Sequence, residues 1–266
     1  MPRAGERARV VTAVIPARMA STRYAGKPLA RIMDLPMIEH VRRRALLADV
    51  VDRAVVATCD SAIIDAVEGM GGEAVMTKAS HERCTERVAE AIEHVRGEII
   101  VMVQGDEPLL VPDAITRVVA PLLADASLGC SNLLCAFVDE KDRESPDVVK
   151  AACDRKGDII YFTRAAIPIR REQVSTPVYR QTGIIAFTRE LLQRYIALPP
   201  TPLERAESID MLRLVEHGIR IAGVVTSYNM FGVDWPDDVA VVETELRSNP
   251  EQRALHERIQ HAGARA

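Results

Sequence analysis

Short apolar runs take turns with amphipathic stretches along the first hundred residues, and this alternation limits the fold more than any other feature. Val10 to Ile15 reads as a buried strand that ends at Pro16. Pro36 to Leu47 reads as a helix, with Ile38, Val41 and Ala45 on one face. Ala54 to Ala57 is a second strand, Ser61 to Met70 a helix stopped by Gly71 and Gly72, and Glu73 to Met76 a third strand. Glu86 to His94 is a third helix and Ile99 to Val103 a fourth strand. Strands that alternate with helices need crossover connections, which predicts an α/β fold: a parallel sheet with helices on both faces. Ligands in such sheets bind beyond the carboxyl ends of the strands. The loops after Ile15, Met76 and Val103 are therefore where chemistry is expected.

The second half reads differently. Leu128 to Val138 is an extended run, and Val148 to Phe162 forms two strands around the turn Asp154 to Gly157. Tyr179 to Phe187 is a further strand, followed by helices at Arg189 to Leu198, Pro202 to His217 and Pro236 to Ser248, then a charged helical tail. Gly218 supplies a normal helix stop. No repeat or low-complexity linker interrupts the 266 residues, so the expectation is one domain, with a lobe inserted or appended at about residues 125–225.

With 48% hydrophobic residues the chain can bury a full core, and 27% charged residues of mixed sign argue against disorder. A net charge of −4 argues against a general nucleic-acid binder, which needs a basic face. The five cysteines contain no CxxC pair, so reduced thiols in a cytoplasmic protein are expected rather than a zinc site. Neither a signal peptide nor a run of about 20 apolar residues is visible, so no membrane partner is expected.

Four segments carry groups suited to chemistry. After the first strand come Pro16, Ala17, Arg18, Ser21, Arg23, Gly26 and Lys27. Three cations within ten residues suit a triphosphate, because guanidinium groups fork onto phosphate oxygens and Lys supplies a mobile point charge. In isolation such a loop is also an ordinary solvated basic loop; its place at a strand end favours the ligand. It is not a Walker A loop, since Lys27 is followed by Pro28. After the fourth strand, Gln104–Gly105–Asp106–Glu107–Pro108 offers Asp106 as a Mg²⁺ ligand near phosphates or as a turn residue, with Glu107 as a supporting acceptor. Near the end, Gly232–Val233–Asp234 offers either a second carboxylate or a helix cap. The loop holding Lys78, His81, Arg83, Cys84 and Thr85 is dense in donors and acceptors that can read a base, or is a polar lead into a helix with Thr85 as its cap.

Taken in order, these segments resemble the sugar-acid cytidylyltransferases, and among them the CMP-Kdo synthetases. The run Ile15 to Leu29, IPARMASTRYAGKPL, is similar to the opening signature of that family, and Gln104 to Pro108 to its metal motif. Tyr161–Phe162–Thr163–Arg164 with Ile167–Pro168, and Gly232–Val233–Asp234 with Pro236, resemble its later landmarks. The resemblance covers roughly residues 10–245. It implies a Rossmann-like nucleotidyltransferase sheet with a core at about 10–124 and 226–250 and an acceptor and dimerisation lobe at about 125–225. It implies CMP transfer from CTP to a small acidic acceptor with Mg²⁺ on Asp106 and Asp234, and a homodimer. Arg18 and Lys27 would bind phosphates, Arg23 would lie near the triphosphate or the acid, and Gln104 would touch the acceptor or the ribose. Pro16, Ala17, Ser21, Lys78, Arg83, Cys84 and Thr85 complete the expected nucleotide site; Arg23, Gln104, Arg164, Gln181, Ile185, Glu207, Asp210 and Met211 form the expected acceptor site.

The chain departs from the pattern on the acceptor side. Gln181 and Ile185 stand where the family carries His and Tyr, and Asp210–Met211 where it carries Glu–Gln. These changes remove partners for hydroxyl groups, so an acceptor other than Kdo, less hydroxylated or differently shaped, is expected. The alternatives are CMP activation of a phosphonate, use of another nucleoside triphosphate, and an inactive nucleotide-binding module. On the base side, His81–Glu82–Arg83–Cys84–Thr85 lacks the Ser and Gly of the family pattern.

Overall fold

The computed structural model describes residues 9–262 apart from 22, 138, 173 and 229. The first strand, β1 (Val11–Ala17), is buried along its whole length. A 3₁₀ turn at Lys27–Leu29 and a small hairpin of β2 (Arg31–Ile32) and β3 (Leu35–Pro36) lead into helix α1 (Met37–Ala45). Then follow β4 (Arg53–Thr58), α2 (Ser61–Glu68), β5 (Glu73–Met76), α3 (Cys84–Ala91) and β6 (Ile99–Val103). β1 pairs in parallel with β4 and β6, and β4 with β5, as the alternating pattern requires. All five residues of β6 are apolar and buried, which fits a strand covered on both faces.

Neighbouring residues of each central strand point to opposite faces. Ile15, Val101 and Val103 pack with α1, α2 and the helix α4 (Pro112–Ala124) on one side; Val14, Ile100 and Met102 pack with α3 on the other. The sequence pattern missed α4. Its prolines, Pro112 and Pro121, disguise it, although Pro112 sits in the first turn, where its missing N–H costs nothing.

Beyond α4 the chain returns to the same sheet. β7 (Cys130–Cys135) precedes a short α5 (Glu140–Glu144), the hairpin β8 (Lys150–Cys153) and β9 (Ile159–Thr163), and the long β10 (Val178–Thr188). After α6 (Arg189–Ala197), α7 (Pro202–Glu207) and α8 (Leu212–Glu216) comes β11 (Ala222–Thr226), a strand not anticipated from sequence. The main strand order is β11-β7-β10-β6-β1-β4-β5, with β8 paired to β10 and β9 to β8. β10 runs antiparallel to both β6 and β7. Residues 125–225 thus supply β7, β10 and β11 to the central sheet and the β8–β9 hairpin beside it.

One expected helix, Pro202 to His217, is two. A capping box between Thr201 and Glu204 opens α7, and Ser208 ends it in the left-handed region at φ 56°. Past the break, Ile209 and Met211 are buried.

The helices α9 (Asp238–Ser248) and α10 (Pro250–Ala262) close the chain. They are held onto α1 by buried polar groups. Arg44 is fully buried and donates to Leu110 O at 3.0 Å and Gln252 Oε1 at 2.8 Å; Arg43 donates to Ile259 O at 3.1 Å. His40 stacks on His256 at 5.3 Å and donates through Nε2 to Ile32 O. A small core of Ile32, Met37, Leu109, Val233, Val242 and Leu246 lies under this corner.

Candidate active site

The loop after β1 closes on itself. The Gly26 amide donates to Met19 O at 3.0 Å, and Gly26 adopts φ +75°, a conformation that glycine reaches without strain. The Met19 amide donates to Asp60 Oδ2 at 2.8 Å, which ties the loop to the end of β4. Pro16, Ala17, Arg18, Ser21, Arg23 and Lys27 line one side of a cavity of about 900 Å³. Arg18 is exposed and makes no hydrogen bond or ion pair with any other described residue. Thr22, inside the same sequence motif, lies outside the described residues.

The loops after β6 and before α9 meet across this cavity. Lys27 Nζ stands 2.7 Å from Asp106 Oδ2 and 3.6 Å from Asp234 Oδ1, and it donates to Val233 O at 2.7 Å. The Val233 amide donates to Asp106 O at 2.8 Å, so backbone as well as side chains join the two segments. Arg23 reaches Asp234 Oδ1 at 2.8 Å. Asp234 does not cap α9: Asp237 occupies the cap position, and Asp238 Oδ2 accepts from the amides of Asp234 and Trp235. The Asp234 carboxylate is therefore left to meet Arg23 and Lys27, the latter also paired with Asp106.

A second cavity, of about 570 Å³, opens beside the first and shares Arg23, Arg83, Cys84, Gln104, Asp106 and Arg164 with it. Its floor is β10. A register shift between Gln181 and Ile185 places Arg180, Gln181, Thr182 and Gly183, four consecutive residues, in the wall. Gln181 Nε2 donates to Asn132 Oδ1 at 2.7 Å, and Asn132 is itself a fully buried residue of β7. Ile185 and Met211 form an apolar wall and are 3% and 1% exposed.

Arg164 spans the rim. Its Nε donates to Glu207 O at 2.8 Å, while the Glu207 carboxylate accepts from Thr163 Oγ1 at 2.6 Å and the Arg164 amide at 2.9 Å. Glu207 thus supports Arg164 from behind and does not line either cavity. Asp210 accepts from Thr85 Oγ1 at 2.9 Å and lies 3.7 Å from Arg83; burial holds its carboxyl above the ordinary range.

Thr85 is fully buried and serves to anchor Asp210, within α3 rather than at its cap, which Arg83 occupies. Lys78 is exposed and lines neither cavity. These two expected nucleotide residues lie outside the walls. His81 pairs with Glu90 at the edge of the larger cavity. Cys84 sits between the cavities with Sγ 3.6 Å from Gln104 Oε1, and its thiol is pushed up to about 11 by burial and by Asp210 and Asp106. It is an inert packing group at neutral pH.

Glu107 was read from sequence only as a supporting acceptor, and Arg180 and Asn132 were not assigned to the site. Glu107 is buried, accepts from the Gly183 amide at 3.3 Å, and has no partner for Oε2 among the described residues. Burial, then the adjacent Asp106, pushes its carboxyl up to about 7. Arg180 donates to Met230 O and fixes the segment that carries Gly232 to Asp234. Asn132 could have been found: it is the lone amide in the mostly apolar extended run from Leu128 to Val138.

The profile of the family described as cytidylyltransferase matches residues 12–221. The chain belongs to the cytidylyltransferase family. A 3-deoxy-manno-octulosonate cytidylyltransferase from Geobacter metallireducens is 41% identical over 247 residues, covering 89% of this chain and 97% of that protein. One from Syntrophotalea carbinolica is 42% identical over 246 residues, covering 89% and 98%. A solved structure of a CMP:2-keto-3-deoxy-manno-octonic acid synthetase complexed with CTP superposes with a TM-score of 0.85 at 35% identity, covering 90% of this chain and 98% of that one. This cytidylyltransferase therefore has the α/β sheet expected from its alternating first half and the Rossmann-like nucleotidyltransferase fold that the family resemblance implies.

Proposed function

We propose that this cytidylyltransferase uses Mg²⁺ to transfer CMP from CTP to a Kdo-like sugar acid, releasing pyrophosphate. The carrying observation is the meeting of Asp106 and Asp234 at Lys27, where the two cavities join. The larger cavity, lined by Arg18, Arg23 and Lys27, suits the triphosphate; the smaller suits the acceptor. Their junction is where an acceptor oxygen would approach the α-phosphorus.

Two half-exposed carboxylates fit Mg²⁺, which takes few protein ligands and completes its octahedron with water and phosphate oxygens. No group of three or more His, Cys, Asp or Glu able to hold a metal occurs among the described residues, which disfavours a closed protein cage. Bound there, Mg²⁺ would neutralise charge on the phosphoryl oxygens. Arg18, Arg23 and Lys27 would hold the triphosphate so that pyrophosphate departs in line with the attacking oxygen. Arg164 and Arg180 would steer the acid, and Gln104 would orient it beside Asp106. The acceptor hydroxyl would form a bond to the α-phosphorus and release its proton to solvent as the bond from that phosphorus to the oxygen bridging it to pyrophosphate breaks.

The apolar wall of Ile185 and Met211 favours a second reading, an acceptor with fewer hydroxyl groups, such as a small phosphonate. A homodimer is proposed on the family likeness, and Ile160, Ile169 and Val174, exposed at 56, 88 and 59% on and after β9, suit an apolar contact. Among the described residues no helix is long and apolar enough to cross a membrane, and the five free cysteines suit a cytoplasmic setting.

Pyrophosphate release with CTP and Mg²⁺ tests the reading across Kdo, related sugar acids and small phosphonates, beside Asp106→Ala. Release with a Kdo-like sugar acid, lost in the variant, is the expected result. Release with a phosphonate alone would favour the second reading, and no release with any acid would count against both.

A further inference from the structure

We infer that Lys27 and the divalent cation are alternative counter-ions of the Asp106–Asp234 pair, so that metal enters this site only together with the nucleotide. The inference rests on the proposed Mg²⁺ role of the two aspartates and adds an order of binding to it.

An ammonium group has three donors and no acceptor. Lys27 directs its group at three oxygens: Asp106 Oδ2 at 2.7 Å, Val233 O at 2.7 Å and Asp234 Oδ1 at 3.6 Å. Its side chain is 13% exposed, whereas the carboxylates are 32% and 43% exposed. Lys27 is thus seated deeper than the groups it neutralises. A divalent cation reaching the same carboxylates would meet a positive charge already bound to them. Mutual repulsion in a partly desolvated site opposes holding both at once.

A triphosphate removes the conflict. It brings its own anionic oxygens to the Lys27 side of the cavity, beside Arg18 and Arg23. Lys is a point charge on a flexible stem and can exchange one oxyanion for another without a fixed fork geometry. The Val233 carbonyl belongs to neither ligand and keeps one donor satisfied throughout, so it serves as the pivot. Val233 is itself immobilised: its side chain is fully buried in the small core with Leu109 and Val242, and its amide is bonded to Asp106 O. Arg23 pairs with Asp234 and keeps part of that carboxylate's charge balanced during the exchange.

The test counts bound Mn²⁺ by the electron paramagnetic resonance of the free ion, first without nucleotide. Wild type is expected to bind weakly, and Lys27→Met at least tenfold more tightly, with the gain abolished in Lys27→Met/Asp106→Asn. Equal or weaker Mn²⁺ binding by Lys27→Met than by wild type would overturn the inference. Lys27→Gln, checked with Lys27→Met by circular dichroism and thermal melting, provides a second variant should the first fold poorly. A separate arm adds CTP: metal bound by wild type with CTP, and weakened by Asp234→Asn, upholds the metal reading. If Asp234→Asn leaves it unchanged, that reading fails, whatever Lys27→Met does.

Discussion

The Gln104 side chain lies flat against the backbone of Gly183. A Cβ at Gly183 would stand 2.0 Å from Gln104 Cγ and 2.8 Å from Gln104 Cβ. No side chain fits there while Gln104 stays in place. The glycine is required here for close approach, and its conformation is ordinary for a strand.

Gly183→Ala therefore displaces Gln104 from the junction of the two cavities. We expect kcat/KM for the acceptor to fall about 10- to 100-fold, equivalent to roughly 1.4–2.7 kcal/mol, with the fold retained. Gln104→Ala should cause a similar loss, and the double variant little more than either alone. Additive losses in the cycle would show that the two residues act independently.

The acceptor wall makes a second prediction. Gln181→His, Ile185→Tyr and Met211→Gln together restore polar partners at three positions of one cavity. Discrimination through a hydroxyl partner is worth about 1–3 kcal/mol. The triple variant should raise kcat/KM for Kdo relative to a less hydroxylated acid by at least tenfold, read in competition assays. Tight and productive use of Kdo by wild type, unchanged in the variant, would contradict the role given to this wall.

Glu107 gives a pH prediction. Its folded pKa is raised from the usual 4.5 to about 7, chiefly by burial and then by Asp106. A raised carboxyl contributes stability that is full below about pH 4.5 and is lost as pH rises through about 7. Glu107→Gln keeps the neutral form, so it should gain on wild type across that window. The gain should approach roughly 3 kcal/mol by pH 8. Thermal melts from pH 4 to 8 in the presence of a chelator would measure it.

His40 carries the opposite sign. Burial, then Arg44 and His256, lowers its folded pKa from 6.5 to about 4, against the raising effect of the Ile32 carbonyl. A depressed histidine contributes stability that is full above about pH 6.5 and is lost as pH falls toward 4. The stability difference between wild type and His40→Asn should shrink by up to about 3 kcal/mol over that interval. Denaturant melts at pH 7.5, 5.5 and 4.5 would detect it.

The parallel half of the sheet was legible because β1, β4 and β6 are apolar runs punctuated by helical spacing, and periodicity reports burial directly. The helix α4 was not, because Pro112 and Pro121 break the usual propensity signal while its buried face still packs. The break between α7 and α8 was hidden too: the apolar spacing continues across it, and only the Ser208 backbone reverses the chain. Within the site, Arg18, Lys27 and Asp106 were visible as polar groups at strand ends. The encounter of Asp106 with Asp234 was legible only through the family resemblance, since it depends on a hydrogen bond between the Val233 amide and Asp106 O that no local pattern encodes. Thr85 drew attention as a donor in a polar loop, but its hydroxyl turns inward to Asp210, a residue distant in sequence.

The shifted register of β10 has a consequence for how such an enzyme can change. Four consecutive residues, Arg180 to Gly183, line one cavity, while the strand before them stays laddered to β8 and the strand after them to β6 and β7. Individual substitutions among them can alter the shape and polarity offered to an incoming acid. Asp106 and Asp234 on neighbouring loops need not be rebuilt. New acceptors are thus reachable by short mutational paths from a scaffold that has already solved nucleotide activation.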